Sequence, residues 1–136
     1  MKKVLVLCTG NSCRSVMAEA LINQLGEGRY QAVSAGSHPT GYVHPKSLET
    51  LRRHGFSTDG FHSKSWDEFA GEHFDVVLTV CNQAASERCP LFTGNSIRLH
   101  WDIADPAGIV GTEERVDAAF EAGYSLLKER IEQAFI

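Results

Sequence analysis

The residues best suited to chemistry lie in one segment near the start of the chain, residues 8–15, which reads Cys-Thr-Gly-Asn-Ser-Cys-Arg-Ser. An arginine guanidinium is a planar fork that can hold two oxygens of one oxyanion, and a cysteine thiolate is a strong nucleophile. Gly10 and Asn11 tolerate the left-handed backbone that a loop needs when several N–H groups point at one spot. The segment therefore predicts an oxyanion-binding loop with Cys8 as nucleophile and Arg14 as anion ligand.

This segment, which we call the Cys8 loop, lies between an apolar run and an amphipathic stretch, so it should precede a helix. The positive potential of a helix N-terminus favours a bound dianion, and it favours thiolate over thiol at a nearby cysteine. We expect the oxyanion to be bound by Thr9, Gly10, Asn11, Ser12, Cys13 and Arg14. Ser15 can donate a hydrogen bond to the Cys8 sulfur and ease its departure in a later step. Nothing in this chemistry requires a thiol at Cys13, which we interpret as a small packing residue.

A second candidate is Asp105, which precedes Pro106 in a loop ahead of the last predicted helix. Oxyanion transfer needs an acid to protonate the departing oxygen, and a partly desolvated carboxyl near an anion has its pKa raised toward that task. An Asp-Pro pair alone is ordinary turn chemistry. Its combination with the Cys8 loop makes Asp105 a candidate general acid.

Two further cysteines, Cys81 and Cys89, lie eight residues apart, and the chain has no CxxC pair. This spacing argues against a zinc ribbon, and the six histidines show no ligand spacing, so we predict no metal site. In a reducing compartment, thiols are more often catalytic, redox-active or buried than disulfide-bonded. Eight residues of intact helix would separate the two α-carbons by about 12 Å, whereas a disulfide spans no more than roughly 7 Å. A disulfide between them would therefore require the segment to unwind.

Apolar and amphipathic segments alternate along the chain. Strands are predicted at residues 4–7, 30–34, 75–80 and 96–99, and helices at residues 15–25, 45–54, 65–70 and 113–135. Interleaved strands and helices predict a three-layer α/β/α sandwich with a four-stranded parallel sheet, which binds ligands at the carboxyl ends of its strands. Because Cys8 and Cys81 each follow a predicted strand, both sulfurs would lie on the same rim if the first and third strands are neighbours.

Length and composition exclude several classes of protein. A chain of 136 residues with 43% hydrophobic and 22% charged residues is expected to form a single globular domain, residues 1–136. A net charge of −4 without a Lys/Arg-rich run argues against binding to nucleic acid or to an anionic membrane. The N-terminal apolar run is too short for a signal peptide, and no later run is long enough to cross a bilayer. We therefore expect a cytoplasmic protein, and its size favours a monomer.

Several motifs together resemble the low-molecular-weight protein tyrosine phosphatase superfamily, nearly end to end. They are the Cys8 loop, Val33-Ser34-Ala35-Gly36 and Asp105-Pro106. Within that superfamily, the Cys8 loop, Thr79-Val80-Cys81, Cys89-Pro90 and His100-Trp101 resemble the thioredoxin-coupled arsenate reductases. The resemblance implies a low-molecular-weight phosphatase-like fold and an arsenate reductase that converts arsenate to arsenite. It implies no bound cofactor and thioredoxin as electron donor, although glutaredoxin or another thiol system remains an alternative reductant.

The resemblance also implies a mechanism. Cys8 attacks arsenate held by the loop and Arg14, and Asp105 protonates the leaving oxygen. Cys81 then attacks Cys8, arsenite leaves, and a disulfide between Cys8 and Cys81 remains. Cys89 attacks Cys81 in turn, and thioredoxin reduces the resulting disulfide.

Some relatives have a potassium site beside this loop, whose ligands would here be Asn11, Glu19, Ser34 and an aspartate. The last position is occupied by Ser65 in this chain, beside Lys64, whose ammonium can stand in for the metal. Potassium stimulation is therefore doubtful. We expect Asn11, Glu19 and Ser34 to brace the loop instead.

Two other functions are compatible with these residues. A phosphatase acting on phosphotyrosine or a small phosphomonoester would use Cys8, Arg14 and Asp105 equally well. The tyrosine phosphatases of this superfamily, however, carry aromatic residues after the Asp-Pro pair, where this chain has Ala107 and Gly108. The two later cysteines would also lack a role in a phosphatase. A non-catalytic anion-sensing protein would not explain a cysteine placed where its thiolate is favoured.

Overall fold

The computed structural model describes residues 1–80, 97–101, 103, 106 and 110–135. Its elements, in chain order, are β1 (Lys2–Cys8), α1 (Arg14–Leu25), β2 (Tyr30–Gly36), α2 (Pro45–Arg53), one turn of 3₁₀ helix (Trp66–Phe69), β3 (Val76–Thr79), β4 (Ile97–His100) and α3 (Glu113–Phe135). The four strands form one parallel sheet in the order β2-β1-β3-β4. The predicted fold class is confirmed, and β1 and β3 are neighbours as the common rim required. The assignment of residues 1–136 to a single domain stays a prediction.

The central strand β1 is apolar throughout its middle because it is buried on both faces. Val4 and Val6 point toward the helices, whereas Leu5 and Leu7 point to the opposite face and pack with Phe74. This alternation follows from the two-residue repeat of a strand. It places Cys8, the last residue of β1, on the same face as the helices.

The three described helices cover the first face of the sheet. α1 is buried along most of its length and packs against α3, whose inner residues Phe120, Leu127 and Ile131 are fully buried. On the second face, the described covering consists of the 3₁₀ turn, which contributes Trp66 and Phe69, and of Phe74, which follows it. No helix in the described part of the chain is long and apolar enough to cross a membrane.

Two elements differ from the sequence prediction in ways that affect the site. The helix predicted at residues 65–70 is a single 3₁₀ turn, because Ser65 caps it by accepting from Asp67 N at 3.1 Å and Gly71 follows with φ 81°. β2 is longer than predicted, since all seven of its residues pair with β1. The last pair joins Cys8 and Gly36, so the end of β2 lies directly beside the Cys8 loop.

Candidate active site

The Cys8 loop joins the central strand to α1 at the carboxyl edge of the sheet. Cys8 is the last residue of β1 and is 3% exposed, and Arg14 is the first residue of α1. Ligands of parallel α/β sheets bind at this edge, where helix N-termini add positive potential. The loop therefore lies where the sequence predicted an oxyanion site.

Three carbonyl groups of the loop accept hydrogen bonds from the segment between β2 and α2. The pairs are Thr9 O with His38 N (2.9 Å), Gly10 O with Thr40 N (3.1 Å) and Ser12 O with His44 N (3.1 Å). In a trans peptide the following N–H points the opposite way, so the amides of Gly10, Asn11 and Cys13 are turned away from these donors. Backbone N–H groups that face a common space in this way are the kind of donor that oxyanion sites use.

A cavity of about 160 Å³ opens at the loop. It is lined by Cys8, Gly10, Ser12, Cys13, Arg14, Thr40, Tyr42 and His44. Pockets for drug-sized ligands are larger, roughly 300–1,000 Å³, so this cavity suits a compact anion. Three of its lining residues come from the segment between β2 and α2, which the sequence did not single out. They are distant in sequence from residues 8–15, and no motif connects the two segments.

Arg14 is held in place from the other side of the site. Its Nη1 donates to the carbonyl oxygen of Ile103 at 2.9 Å, which joins the start of α1 to the chain two residues before Asp105. This hydrogen bond fixes one end of a guanidinium whose residue lines the cavity. Cys13 also lines the cavity, and it belongs to the apolar core cluster at 5% exposure. That burial is consistent with its interpretation as a packing residue.

A buried hydrogen-bond network supports the loop from behind. Asn11 is fully buried and has the left-handed φ of 48°, and its Nδ2 donates to Ser15 Oγ and Ser34 Oγ, both at 2.9 Å. Asn11 Oδ1 accepts from Lys64 N at 2.9 Å, and Ser34 Oγ donates to Glu19 Oε1 at 2.8 Å. Because Ser15 Oγ is an acceptor toward Asn11, its own proton is available to another acceptor. The three residues expected to brace the loop, Asn11, Ser34 and Glu19, are thus connected by consecutive hydrogen bonds.

Glu19 ends this network as a partly buried carboxyl. Burial raises the pKa of this carboxyl above its ordinary value. The hydrogen bond from Ser34 and the positive charges of Lys64 and His62 act in the opposite direction but do not cancel the effect of burial. Lys64 therefore contributes a positive charge near Glu19 as well as its backbone N–H to Asn11, and its Nζ donates to His62 O at 3.2 Å. Within the described residues, no three His, Cys, Asp or Glu side chains come together as a metal site would require. The expectation that potassium does not stimulate this protein as it does some relatives is not tested by these contacts.

Gly36 is a site residue whose role the sequence did not reveal. A Cβ at this position would lie 2.5 Å from Thr9 O, 2.9 Å from Cys8 O and 3.0 Å from Asn11 N. Only glycine allows the end of β2 to lie this close to the loop. The run of small residues Ser34, Ala35 and Gly36 at the end of the second strand was the only feature of this segment in the sequence that indicated a close approach to another part of the chain.

Three predicted site residues, Cys81, Cys89 and Asp105, lie outside the described residues. β3 runs to Thr79, two residues before Cys81, and Thr79 pairs with Leu7 at the edge where Cys8 lies. The described part of β3 therefore leads toward the site. The roles of these three residues stay predictions.

Comparisons of sequence and of structure with known proteins point to the same group of relatives. The family model described as low molecular weight phosphotyrosine protein phosphatase matches residues 3–135. An arsenate reductase of Bacillus licheniformis is 34% identical over 132 residues, which cover 97% of this chain and 94% of that protein. A solved structure described as an arsenate reductase in oxidized state superposes with a TM-score of 0.81 at 28% identity, covering 99% of this chain and 97% of that one.

A second solved structure, described as an arsenate reductase in the phosphate binding state, has a TM-score of 0.79 at 28% identity, covering 99% of this chain and 97% of that one. Its likeness extends over the same sheet and helices that position Cys8 and Arg14. Because the family model spans nearly every residue of the chain, this protein belongs to the low molecular weight phosphotyrosine protein phosphatase family.

Proposed function

We propose that this protein is an arsenate reductase that converts arsenate to arsenite at the Cys8 loop. The observation that carries this proposal is a buried cysteine at the end of the central strand, in a loop whose carbonyls are turned outward beside a cavity shared with Arg14. Arsenate and phosphate are both tetrahedral oxyanions of similar charge, so the loop alone does not distinguish between them. The relatives at 34% and 35% identity over most of the chain are named arsenate reductases, which favours arsenate as the substrate.

In the first step, the Cys8 thiolate attacks arsenic. An S–As bond forms and one As–O bond breaks, and Asp105 protonates the departing oxygen so that it leaves as water. The amides of the loop and the Arg14 guanidinium hold the remaining oxygens. Such donors are effective because they are fixed in position before the reaction begins.

The second step transfers electrons. The Cys81 thiolate attacks the Cys8 sulfur, an S–S bond forms, and the S–As bond breaks with its electron pair on arsenic. Arsenic(V) becomes arsenic(III), which leaves as arsenite. The solved relatives described in reduced and oxidized states support a cycle of this redox type.

The last steps restore the thiols. Cys89 attacks Cys81, a new disulfide forms between them, and Cys8 leaves as a thiolate that the Ser15 hydroxyl stabilises by donating its proton in a hydrogen bond. A dithiol then reduces the disulfide between Cys81 and Cys89. We propose thioredoxin for this step and the cytoplasm as the location, since the cycle requires a reducing compartment.

We further propose a monomer that uses neither nucleic acid nor a membrane.

The decisive experiment measures arsenite formation with thioredoxin, thioredoxin reductase and NADPH, in parallel with a glutaredoxin and glutathione system. The wild type should be active with thioredoxin, and Cys8→Ser should abolish turnover because its hydroxyl is a far weaker nucleophile than a thiolate. Cys13→Ser is the matched control, since it changes the other thiol of the same loop, and it should lose much less activity. Arsenite formation by Cys8→Ser at the wild-type rate would exclude Cys8 as the nucleophile.

The disulfide relay has its own test. Cys89→Ala should release one equivalent of arsenite and then stop, because Cys8 and Cys81 can still form their disulfide but nothing resolves it. Arsenite released in a single turnover and the thiols remaining afterwards are the measured quantities. Equal multiple-turnover rates in Cys89→Ala and wild type would remove Cys89 from the mechanism.

A second candidate function, hydrolysis of small aryl phosphates, is favoured by one observation. Tyr42 lines the cavity with 57% of its surface exposed, so an aromatic side chain stands at the mouth although none follows the Asp-Pro pair. The test is hydrolysis of p-nitrophenyl phosphate by the wild type and by Tyr42→Ala. Slow hydrolysis that is insensitive to Tyr42 supports the reductase, whereas efficient hydrolysis that falls in Tyr42→Ala supports the phosphatase.

A further inference from the structure

His44 lines the cavity together with Cys8 and Arg14, although it lies far from the Cys8 loop in sequence. Its backbone N–H donates to Ser12 O at 3.1 Å, so the residue is attached directly to the loop. The fully buried Ser47 donates to the same carbonyl through Oγ, also at 3.1 Å. The first turn of α2 therefore holds the His44 backbone at a fixed place beside the loop.

The imidazole of His44 has a defined tautomer. As the N-cap of α2, its Nδ1 accepts the backbone N–H of Lys46 at 3.1 Å. A ring nitrogen that accepts a hydrogen bond carries no proton, so the neutral ring carries its N–H at Nε2. Toward the described residues, Nε2 makes no hydrogen bond and no ion pair. The ring thus offers one donor that the described part of the protein does not use.

The orientation of this ring is restricted by packing. Its centroid lies 5.1 Å from that of Phe120, at an interplanar angle of 36°, and Phe120 is fully buried in the core. With one nitrogen held by the helix cap and one face against Phe120, the ring has little freedom to turn. A donor that is already oriented loses less entropy on binding a ligand than a mobile one does.

We propose that His44 is a ligand of the oxyanion, donating Nε2–H to one of its oxygens. The cavity that His44 lines is only about 160 Å³, so a donor from its ring would meet the same anion as the amides of the loop. The proposal deepens the proposed function and rests on oxyanion binding by the Cys8 loop. It adds a side-chain donor from the N-cap of α2 to a site otherwise built from backbone amides and Arg14.

The substitution His44→Asn separates this donor from the helix cap. Asparagine is a strong N-cap residue whose Oδ1 can accept the Lys46 N–H, while the ring N–H is removed. The dissociation constant of inorganic phosphate, measured by calorimetry on the full chain at neutral pH, should rise about tenfold, as expected for losing one hydrogen bond to a charged acceptor. His44→Ser also retains a cap and should show a similar loss, which excludes an effect of the asparagine amide.

His54→Asn is the matched control, because it makes the same change at the other end of α2. His54 stacks on Tyr124 at 3.9 Å and its Nε2 pairs with Glu121 at 2.8 Å, and it does not line the cavity. Phosphate affinity should be unchanged in His54→Asn. Melting temperatures of all three variants show whether a loss of affinity merely follows a loss of stability.

Wild-type phosphate affinity in both His44→Asn and His44→Ser would overturn the proposal. So would a loss of affinity in His54→Asn equal to that in His44→Asn, because the effect would then belong to the helix and not to the donor. Phosphate binding needs no electron transfer, so a wild type that binds phosphate but forms no arsenite refutes the reductase alone. A wild type that binds no phosphate refutes the oxyanion site and the role of His44 with it.

Discussion

Two polar clusters of this protein each contain a glutamate whose pKa is shifted, upward for Glu19 in the first and downward for Glu121 in the second. The loop-bracing network behind the candidate active site consists of Asn11, Ser15, Ser34 and Glu19. The α2–α3 ion cluster on the surface consists of Glu49, Arg53, His54 and Glu121. Both clusters connect elements that are distant in sequence, but they do so in different environments.

Burial decides the outcome at Glu19 but not at Glu121. Burial raises the pKa of Glu19, and the Ser34 hydrogen bond with the charges of Lys64 and His62 only partly offsets it. Burial also raises the pKa of Glu121, but the hydrogen bonds from His54 and Arg53 outweigh that effect and the pKa is lowered. The charge of Glu19 therefore destabilises the folded state, although the hydrogen bonds of its network hold the Cys8 loop in place. The charge of Glu121, in contrast, stabilises the folded state.

The largest effect should follow from removing the centre of the loop-bracing network. Asn11→Ala loses hydrogen bonds to Ser15, Ser34 and Lys64, and it places a Cβ residue without a local partner at a left-handed φ of 48°. We expect the free energy of unfolding in urea to fall by about 3 kcal/mol or more, and arsenate turnover to fall with it. Asn11→Gly should recover about 1 kcal/mol of that loss, because glycine tolerates the backbone conformation.

Equal stability of Asn11→Ala and wild type would show that the network contributes little, and the comparison of the two clusters would fail. Equal stability of the alanine and glycine variants would show that the backbone conformation at this position is not strained.

The Cys8 loop could be identified as a candidate site because the residue types that the predicted reaction needs stand together in one short segment. Cys8 and Arg14 needed no knowledge of the rest of the chain. Gly36, and His44 as the proposed anion ligand, were not predictable in the same way, since they come to lie beside the loop through strand pairing and through the hydrogen bonds of His44 and Ser47 to Ser12. Contacts between distant segments carry no local sequence pattern.

The fold was also predictable where its signal is a repeating pattern of apolar residues within one segment. The alternation of strands and helices predicted the parallel sheet, and the bounds of α3 agree at both ends because its apolar face repeats over many turns. β2 was predicted too short, because pairing with the end of β1 keeps Ala35 and Gly36 extended despite their weak strand preference. Local preference and long-range pairing disagree at that point, and pairing prevails.

The next largest effect concerns the contact between β2 and the loop. Gly36→Ala introduces a Cβ that meets backbone atoms of Thr9, Cys8 and Asn11, so the loop must shift. We expect a loss of about 1–3 kcal/mol in unfolding free energy and a clear loss of phosphate affinity. Gly123→Ala is the control, since its Cβ would meet only ordinary contacts, the nearest at 3.9 Å, inside α3.

Alanine at position 123 should be neutral or stabilising because it has a higher helix propensity than glycine. Wild-type phosphate affinity in Gly36→Ala would contradict the view that the end of β2 determines the shape of the loop.

A smaller effect, of opposite sign, is expected at Glu19. The raised pKa means that the folded state binds the proton more tightly than the unfolded state, so wild-type stability falls as pH rises from the ordinary value of 4.5 toward the raised value. Glu19→Gln keeps an oxygen that accepts from Ser34 but does not titrate, so its stability should lack that decline. Thermal unfolding from acidic to neutral pH should show the variant gaining on the wild type as pH rises; parallel curves would exclude a buried, costly charge.

The smallest effect should come from the same substitution in the surface cluster. Because the pKa of Glu121 is lowered, the stabilising effect of its charge is present above the ordinary value of 4.5 and is lost as pH falls through the folded-state value. Glu121→Gln should therefore be less stable than the wild type at neutral pH, by no more than about 1 kcal/mol, as is usual for exposed ion pairs. The difference should shrink in acid and in high salt, since exposed charges are screened. If Glu19→Gln and Glu121→Gln changed stability with the same sign across this pH range, the contrast between the buried and the surface carboxylate would be wrong, since burial and charge pairing predict opposite slopes.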